Sequence, residues 1–164
     1  MVITMKTLIV YTSKYGCTAD CAKHLKDKLS CEVTLTDIGK SSKELRLDDY
    51  DSVIIGGSIY AGRVSKKLRM FCKDNLEALS NKKLGIFLCC ASVDESDNYL
   101  SSNFPSELIS TAKVTKAFGG EIRPDGMSLF DKLIVKAIKK ATKGDFGNFK
   151  VLSEQIEEFA KEMA

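Results

Sequence analysis

The tightest constraint on this chain lies in residues 8–29, where an apolar run passes through a loop of small polar residues directly into an amphipathic segment. Leu8, Ile9 and Val10 are consecutive aliphatic residues. A strand that is apolar at successive positions has to be covered on both faces, as in the middle of a parallel sheet. Thr12, Ser13, Gly16 and Thr18 follow, supplying three hydroxyls and one residue free to adopt a positive φ. From Thr18 the period becomes helical, with Ala19, Ala22, Leu25 and Leu29 on one side and Asp20, Lys23, Lys26 and Asp27 on the other. The loop therefore opens a helix whose first N–H groups lack intrahelical acceptors and whose dipole puts partial positive charge at the same point. Such a junction binds anions, phosphate foremost. It is neither the G-x-x-x-x-G-K-[ST] loop of triphosphatases nor the G-x-G-x-x-G dinucleotide fingerprint. Without a ligand, the same residues make a plain turn with Thr18 as N-cap.

The alternation continues along the chain. Residues 30–36 alternate apolar and polar, predicting a second strand at a sheet edge, and a polar connection over 37–49 follows. Residues 51–57 read as a buried third strand ending in glycines, 64–76 as a helix with Val64, Leu68, Phe71 and Leu76 inward, and 83–90 as a fourth strand. A fifth strand is expected over 113–118, continuing to Ile122, and a terminal helix over 149–163. Strands alternating with helices imply an α/β fold with right-handed crossovers, here one domain over residues 1–164. In such sheets ligands bind beyond the carboxyl ends of the strands, so the loops after strands 1, 3 and 4 are predicted to converge. The second of these, residues 56–63, carries two adjacent glycines for close backbone approach, Ser58 and Tyr60, and a possible bend at Gly62. The third, residues 89–94, has small residues, among them Ala91 and Ser92, where a flat ring can lie against backbone.

The 25 Lys plus Arg against 22 Asp plus Glu leave a formal charge of +3, too balanced for nucleic acid to be the main partner. The N-terminus has no signal-like segment, so a cytoplasmic location is expected. Six cysteines without C-x-x-C spacing agree with that compartment. Cys17 and Cys21 share a helix face, but with no second cysteine pair and His24 the only histidine, no metal site is expected. His24, among lysines in mid-helix, reads as a solvated residue, and no catalytic acid, base or nucleophile stands out.

Thr12-Ser-Lys-Tyr-Gly-Cys-Thr18 resembles the phosphate loop of flavodoxins, hydroxyl-x-Thr-Gly-Asn-Thr, which holds the terminal phosphate of FMN. Ser13, Gly16 and Thr18 match, while Tyr15 and Cys17 stand where Thr and Asn are commoner. The resemblance implies a three-layer sandwich around a five-stranded parallel sheet in the order 2-1-3-4-5. It also implies FMN as cofactor, with Thr12, Ser13, Lys14, Tyr15, Gly16, Cys17 and Thr18 around the phosphate and Lys14 adding positive charge. Ser58, Ile59, Tyr60, Ala61 and Gly62, with Ala91 and Ser92, would then hold the ring, Tyr60 packing on it and the 58–62 backbone facing its N5 edge. Residues 50–63, with Lys66, Phe71 and Cys72, and residues 118–140 are similar to the flavodoxin-like, menaquinone-dependent protoporphyrinogen oxidases. That implies an oxidoreductase passing electrons to a quinone-type acceptor. A flavodoxin carrier between redox proteins is the alternative.

Residues 128–143 read as an extra helix with Leu129, Leu133, Ala137, Ile138 and Ala141 on one face and Lys132, Lys136, Lys139, Lys140 and Lys143 opposite or flanking. Packing of the apolar face on the core is the simpler expectation. Contact with an anionic membrane, where a quinone would be reached, is the other. The oligomeric state is left open.

Overall fold

The computed structural model describes residues 4–120, 128–141 and 150–164. The first strand, β1 (Lys6–Tyr11), is followed by α1 (Cys17–Lys28), β2 (Glu32–Asp37), β3 (Ser52–Ser58), α2 (Lys66–Asp74), α3 (Leu76–Ser80) and β4 (Lys83–Cys89). Then come α4 (Ser96–Asn103), α5 (Ser106–Thr111), β5 (Val114–Ala117), α6 (Leu129–Ala141) and α7 (Ser153–Met163). The strands form one parallel sheet in the order β2-β1-β3-β4-β5. This is the flavodoxin-like arrangement expected from the sequence, with helices on both sides.

Full coverage explains the unbroken apolar runs. Leu8, Ile9, Val10, Val53, Ile54 and Ile55 are all 0% exposed. Leu8, Val10, Val53 and Ile55 face Leu68 and Leu79 of α2 and α3 and Leu100 and Leu108 of α4 and α5. Ile9 and Ile54 face Leu25 of α1 and Ile156 and Phe159 of α7, where Phe87 stacks on Phe118 at 4.6 Å and meets Phe159 edge-on. Only β2, with Glu32 and Thr34 exposed, keeps the one-sided pattern of an edge.

Several boundaries differ from the sequence pattern. The helix expected over 64–76 starts later, at Lys66, because Ser65 Oγ accepts the Leu68 N–H at 3.2 Å as its N-cap. It also breaks at Asn75, whose φ of −114° leaves the helical range, and restarts as α3. Helices α4 and α5 had no counterpart in the pattern, since S-D-N-Y-L-S-S-N offers little apolar periodicity. The proposed extension of β5 to Ile122, the start of the last helix at Phe149, and Lys143 lie outside the described residues. After β5, Gly119 pairs with Val151 in an antiparallel bridge, and Leu152 N–H donates to Phe118 O at 2.8 Å, leading the chain into α7.

Candidate functional site

At the carboxyl end of β1, Gly16 takes a φ of 96°, the left-handed turn that only glycine adopts without strain, and α1 starts at the next residue. Ser13 organises this loop. Its Oγ accepts the N–H of Gly16 at 3.1 Å and of Ala19 at 3.2 Å. The capping hydroxyl is therefore Ser13 and not Thr18, which lies inside the first turn. Thr18 is 1% exposed and its Oγ1 has no hydrogen-bond partner. Thr12 ties the loop to α2, its Oγ1 accepting from Ser65 Oγ at 3.1 Å.

The loop after β3 closes as a two-residue turn in which Tyr60 and Arg63 exchange N–H···O bonds of 2.9 and 3.0 Å. Ala61 and Gly62 occupy its centre at φ 49° and 77°, the paired positive values of a primed turn. Ala61 holds this conformation against the usual penalty for a residue with a Cβ. Asn103, buried at the end of α4, pins the turn from behind: Oδ1 accepts the Val64 N–H at 3.0 Å, and Nδ2 donates to Gly62 O at 3.1 Å and to Tyr99 O at 2.8 Å. The adjacent glycines have a different job from the expected approach to a ligand. A Cβ on Gly56 would lie 2.2 Å from Phe87 Cζ, and one on Gly57 2.8 Å from Leu68 Cδ2, so both make room for the core.

The third loop joins the second through Ile59 N–H to Cys89 O at 2.9 Å and is held to the segment after β5 by Cys90 N–H to Gly119 O at 2.9 Å. Ala91 and Ser92 are exposed on it.

The sequence profile of the flavodoxin domain matches residues 8–147. The chain belongs to the flavodoxin family. Solved flavodoxins share its fold at low identity: one from Streptococcus pneumoniae TIGR4 (19% identity, 96% of this chain and 97% of that one, TM-score 0.55) and a short-chain flavodoxin associated with a bacterial microcompartment (15%, 97% and 96%, TM-score 0.59). A flavoprotein from Lactobacillus acidophilus NCFM solved in complex with FMN aligns over 69% of this chain and 92% of its own, at 15% identity and a TM-score of 0.52. No curated protein sequence gave a significant match. These findings establish the flavodoxin family and do not extend to the narrower protoporphyrinogen oxidase resemblance.

Helix α6 lies against the first two loops. Ser128 caps it, its Oγ accepting the Asp131 N–H at 3.1 Å, and the helix carries the Asp131 carboxylate onto both loops. Tyr15 OH and Tyr60 OH each donate to one oxygen of that carboxylate, and Lys14 Nζ lies 3.1 Å from it. The same ammonium sits 3.7 Å from the centroid of the Tyr60 ring and 5.4 Å from that of Tyr15. Two phenols and one cation, 116 and 71 residues from Asp131 in the two tyrosine pairs, thus converge on one anion. Asp131 is only 6% exposed. Neither Asp131 nor Asn103 was singled out from the sequence; the one available signal was an acid in the first turn of an otherwise basic helix.

The apolar face expected to pack on the core does not do so at Leu129 and Leu133, and Lys132, Lys136 and Lys140 are exposed as well. Leu129, Phe130 and Leu133 are 81%, 69% and 64% exposed, while the acid is buried. No helix among the described residues is long and apolar enough to cross a membrane. A separate cleft of about 630 Å³ lies at the amino ends of the strands, lined by Met5, Thr7, Cys31, Ser52, Lys83 and Met163. It lies across the sheet from the loops that carry the capped helix, the two tyrosines and Lys14, so its size does not make it the functional site.

Proposed function

We propose that this protein binds FMN at the loops after β1, β3 and β4 and works as a redox protein, passing electrons from the flavin to a separate acceptor. The observation that carries the reading is Thr18 Oγ1, a buried hydroxyl without a partner in the first turn of a helix whose N-terminal loop is already shaped by Ser13 and Gly16. Buried hydroxyls are nearly always paired, and one left open at a helix N-terminus fits a phosphate oxygen. The residues therefore fit FMN.

In this reading Thr18 and the first-turn N–H groups hold the phosphate, Ser13 fixes the loop, and Lys14 supplies the adjacent positive charge. Tyr60 packs on the ring, and the strained Ala61–Gly62 turn, braced by Asn103, positions backbone at its edge. Ala91 and Ser92 complete the ring site. The bound flavin supplies electron or hydride transfer, while the chain supplies binding, orientation and electrostatics. Asp131 is a resident anion in the same group of donors, so FMN and the carboxylate compete for Lys14 and the tyrosines.

The acceptor is a redox protein or a quinone. The exposed Leu129, Phe130 and Leu133, beside the site and with Lys132, Lys136 and Lys140 on the same helix, favour an acceptor reached at an anionic membrane surface. The narrower reading, porphyrinogen oxidation with menaquinone, rests on residues 50–63 and 118–140.

The visible spectrum of protein purified without added cofactor, followed by identification of the released compound, tests the first step. Near-stoichiometric FMN is expected; a colourless protein that does not take up FMN refutes the reading. Direct two-electron turnover of a quinone or porphyrinogen marks an enzyme, and single-electron exchange with a partner protein marks a carrier. Flotation with anionic liposomes, lost when Leu129, Phe130 and Leu133 are changed to serine, tests the membrane contact; flotation unaffected by the change rules this surface out.

A further inference from the structure

Beneath the first loop three sulfur atoms meet. Cys17 and Cys21, one turn apart on α1, and Cys89, the last residue of β4, have Sγ atoms all within 4.8 Å of one another. The residues are 9%, 2% and 5% exposed and share a core cluster with Ile9, Ile54, Phe87 and Phe118. None of the six cysteines is in a disulfide. This is the one such group of potential metal ligands among the described residues.

The chemistry of the group narrows its occupant. Thiolate sulfur selects soft ions, and two bonds of about 2.3 Å to a common centre reach sulfurs this close once the triangle contracts by up to about 1 Å. Cys17, the least buried of the three, is the first residue of α1. A structural zinc ion needs four ligands. Charge decides further. Three thiolates around a monovalent ion leave −2, and around a divalent ion −1, in an apolar pocket where uncompensated charge is costly. Around a trivalent centre they leave zero.

We propose that Cys17, Cys21 and Cys89 form a three-coordinate site for a trivalent, thiophilic metalloid of the arsenic(III) or antimony(III) type. The ion arrives as its neutral trihydroxide. Three S–H and three metalloid–OH bonds break, three metalloid–S bonds form, and three water molecules leave carrying the thiol protons; nothing is oxidised or reduced. The site stands independently of the FMN reading. Because Cys17 also belongs to the candidate phosphate loop, occupancy of the sulfur site constrains that loop from below.

Titration of the full-length, reduced protein with sodium arsenite, followed by native mass spectrometry and near-ultraviolet absorbance, tests the proposal. One arsenic per chain is expected. Cys17→Ser, Cys21→Ser and Cys89→Ser each lower the affinity by at least about tenfold, whereas Cys31→Ser and Cys72→Ser leave it unchanged. No adduct, or an adduct that survives Cys17→Ser in protein shown by circular dichroism to be folded, overturns the site. Zn(II) or Cu(I) held more tightly than arsenite under the same conditions overturns the trivalent assignment. Should Cys21→Ser or Cys89→Ser fail to fold, the Cys17→Ser variant, at the least buried position, decides.

Discussion

Replacing Thr18 by valine separates two effects of one hydroxyl. Thr18 is 1% exposed, and its Oγ1 meets neither solvent nor a partner. A hydroxyl buried in that state costs about 1–3 kcal/mol. Valine has nearly the same shape and helix propensity, so the substitution removes the cost without opening a cavity. The ligand-free protein should gain about 1–2 kcal/mol, which for a chain of this size raises Tm by roughly 2–8 °C. FMN binding should move the other way. A hydrogen bond from this hydroxyl to a phosphate contributes about 1.5–3 kcal/mol, so its loss weakens Kd by roughly tenfold to a hundredfold or more. Thermal melts of the cofactor-free protein and fluorescence titration with FMN read the two effects separately. Thr18→Ser is the control: it loses about 0.8 kcal/mol of stability with its methyl group but keeps the donor and the affinity. A Thr18→Val protein that is less stable without cofactor and binds FMN as tightly as the parent would refute the reasoning, because the hydroxyl would then be serving the fold.

Three further outcomes follow from the packing. Gly56→Ala should cost about 3 kcal/mol, since the new Cβ lies 2.2 Å from a Phe87 ring that is itself stacked on Phe118; Gly62→Ala meets nothing within 4 Å and loses only about 1–2 kcal/mol to its left-handed φ, so urea denaturation should rank Gly56→Ala as the less stable. Asn103→Leu removes the acceptor of the Val64 N–H and should cost about 1–3 kcal/mol, with faster amide exchange over residues 60–64; exchange rising only within α4 would show that the asparagine does not brace the turn. Burial pushes the Cys72 thiol up from 9.0 to about 12. Its folded-state value exceeds its unfolded one, so its contribution to stability is complete below pH 9 and declines between pH 9 and 12 by about 1.4 kcal/mol per pH unit. Denaturation at pH 8 and 10 should therefore show Cys72→Ala losing about 1.4 kcal/mol less than the parent, and equal losses would contradict a protonated buried thiol.

Much of the fold is legible in the sequence because its cues are local. Leu8-Ile9-Val10 and Val53-Ile54-Ile55 announce strands covered on both faces, since burial on both sides needs apolar residues at every position. The hydroxyl and glycine loop before α1 announces a tight turn into a helix for the same reason: its geometry is set by φ at Gly16 and by a hydroxyl three residues earlier. The choice of hydroxyl was less accessible. Ser13 and Thr18 are chemically equivalent as caps, and only the path of the turn gives the role to Ser13.

Periodicity correctly described α6 as amphipathic but could not say which side would be covered. A helical moment records a contrast between faces and carries no information about the surface it docks on. Here docking is governed by Asp131, which finds Lys14, Tyr15 and Tyr60, and Leu129 and Leu133 are left outside. The same limit applies to Gly56 and Gly57, whose need for missing side chains comes from Phe87 and Leu68.

Local patterns set the five strands and their order, the parallel sheet and the helices α1, α2, α6 and α7, because backbone propensity and burial on one or two faces are read out within a few residues; α4, α5 and the break before α3 left no such pattern. The tertiary structure alone decided that Asp131 closes on the first two loops, that Asn103 braces the second, and that Cys89 joins Cys17 and Cys21. Those contacts join residues from 39 positions apart, for Asn103 and Val64, to 117, for Lys14 and Asp131, and it is the packing of whole elements that brings their side chains within a few ångströms.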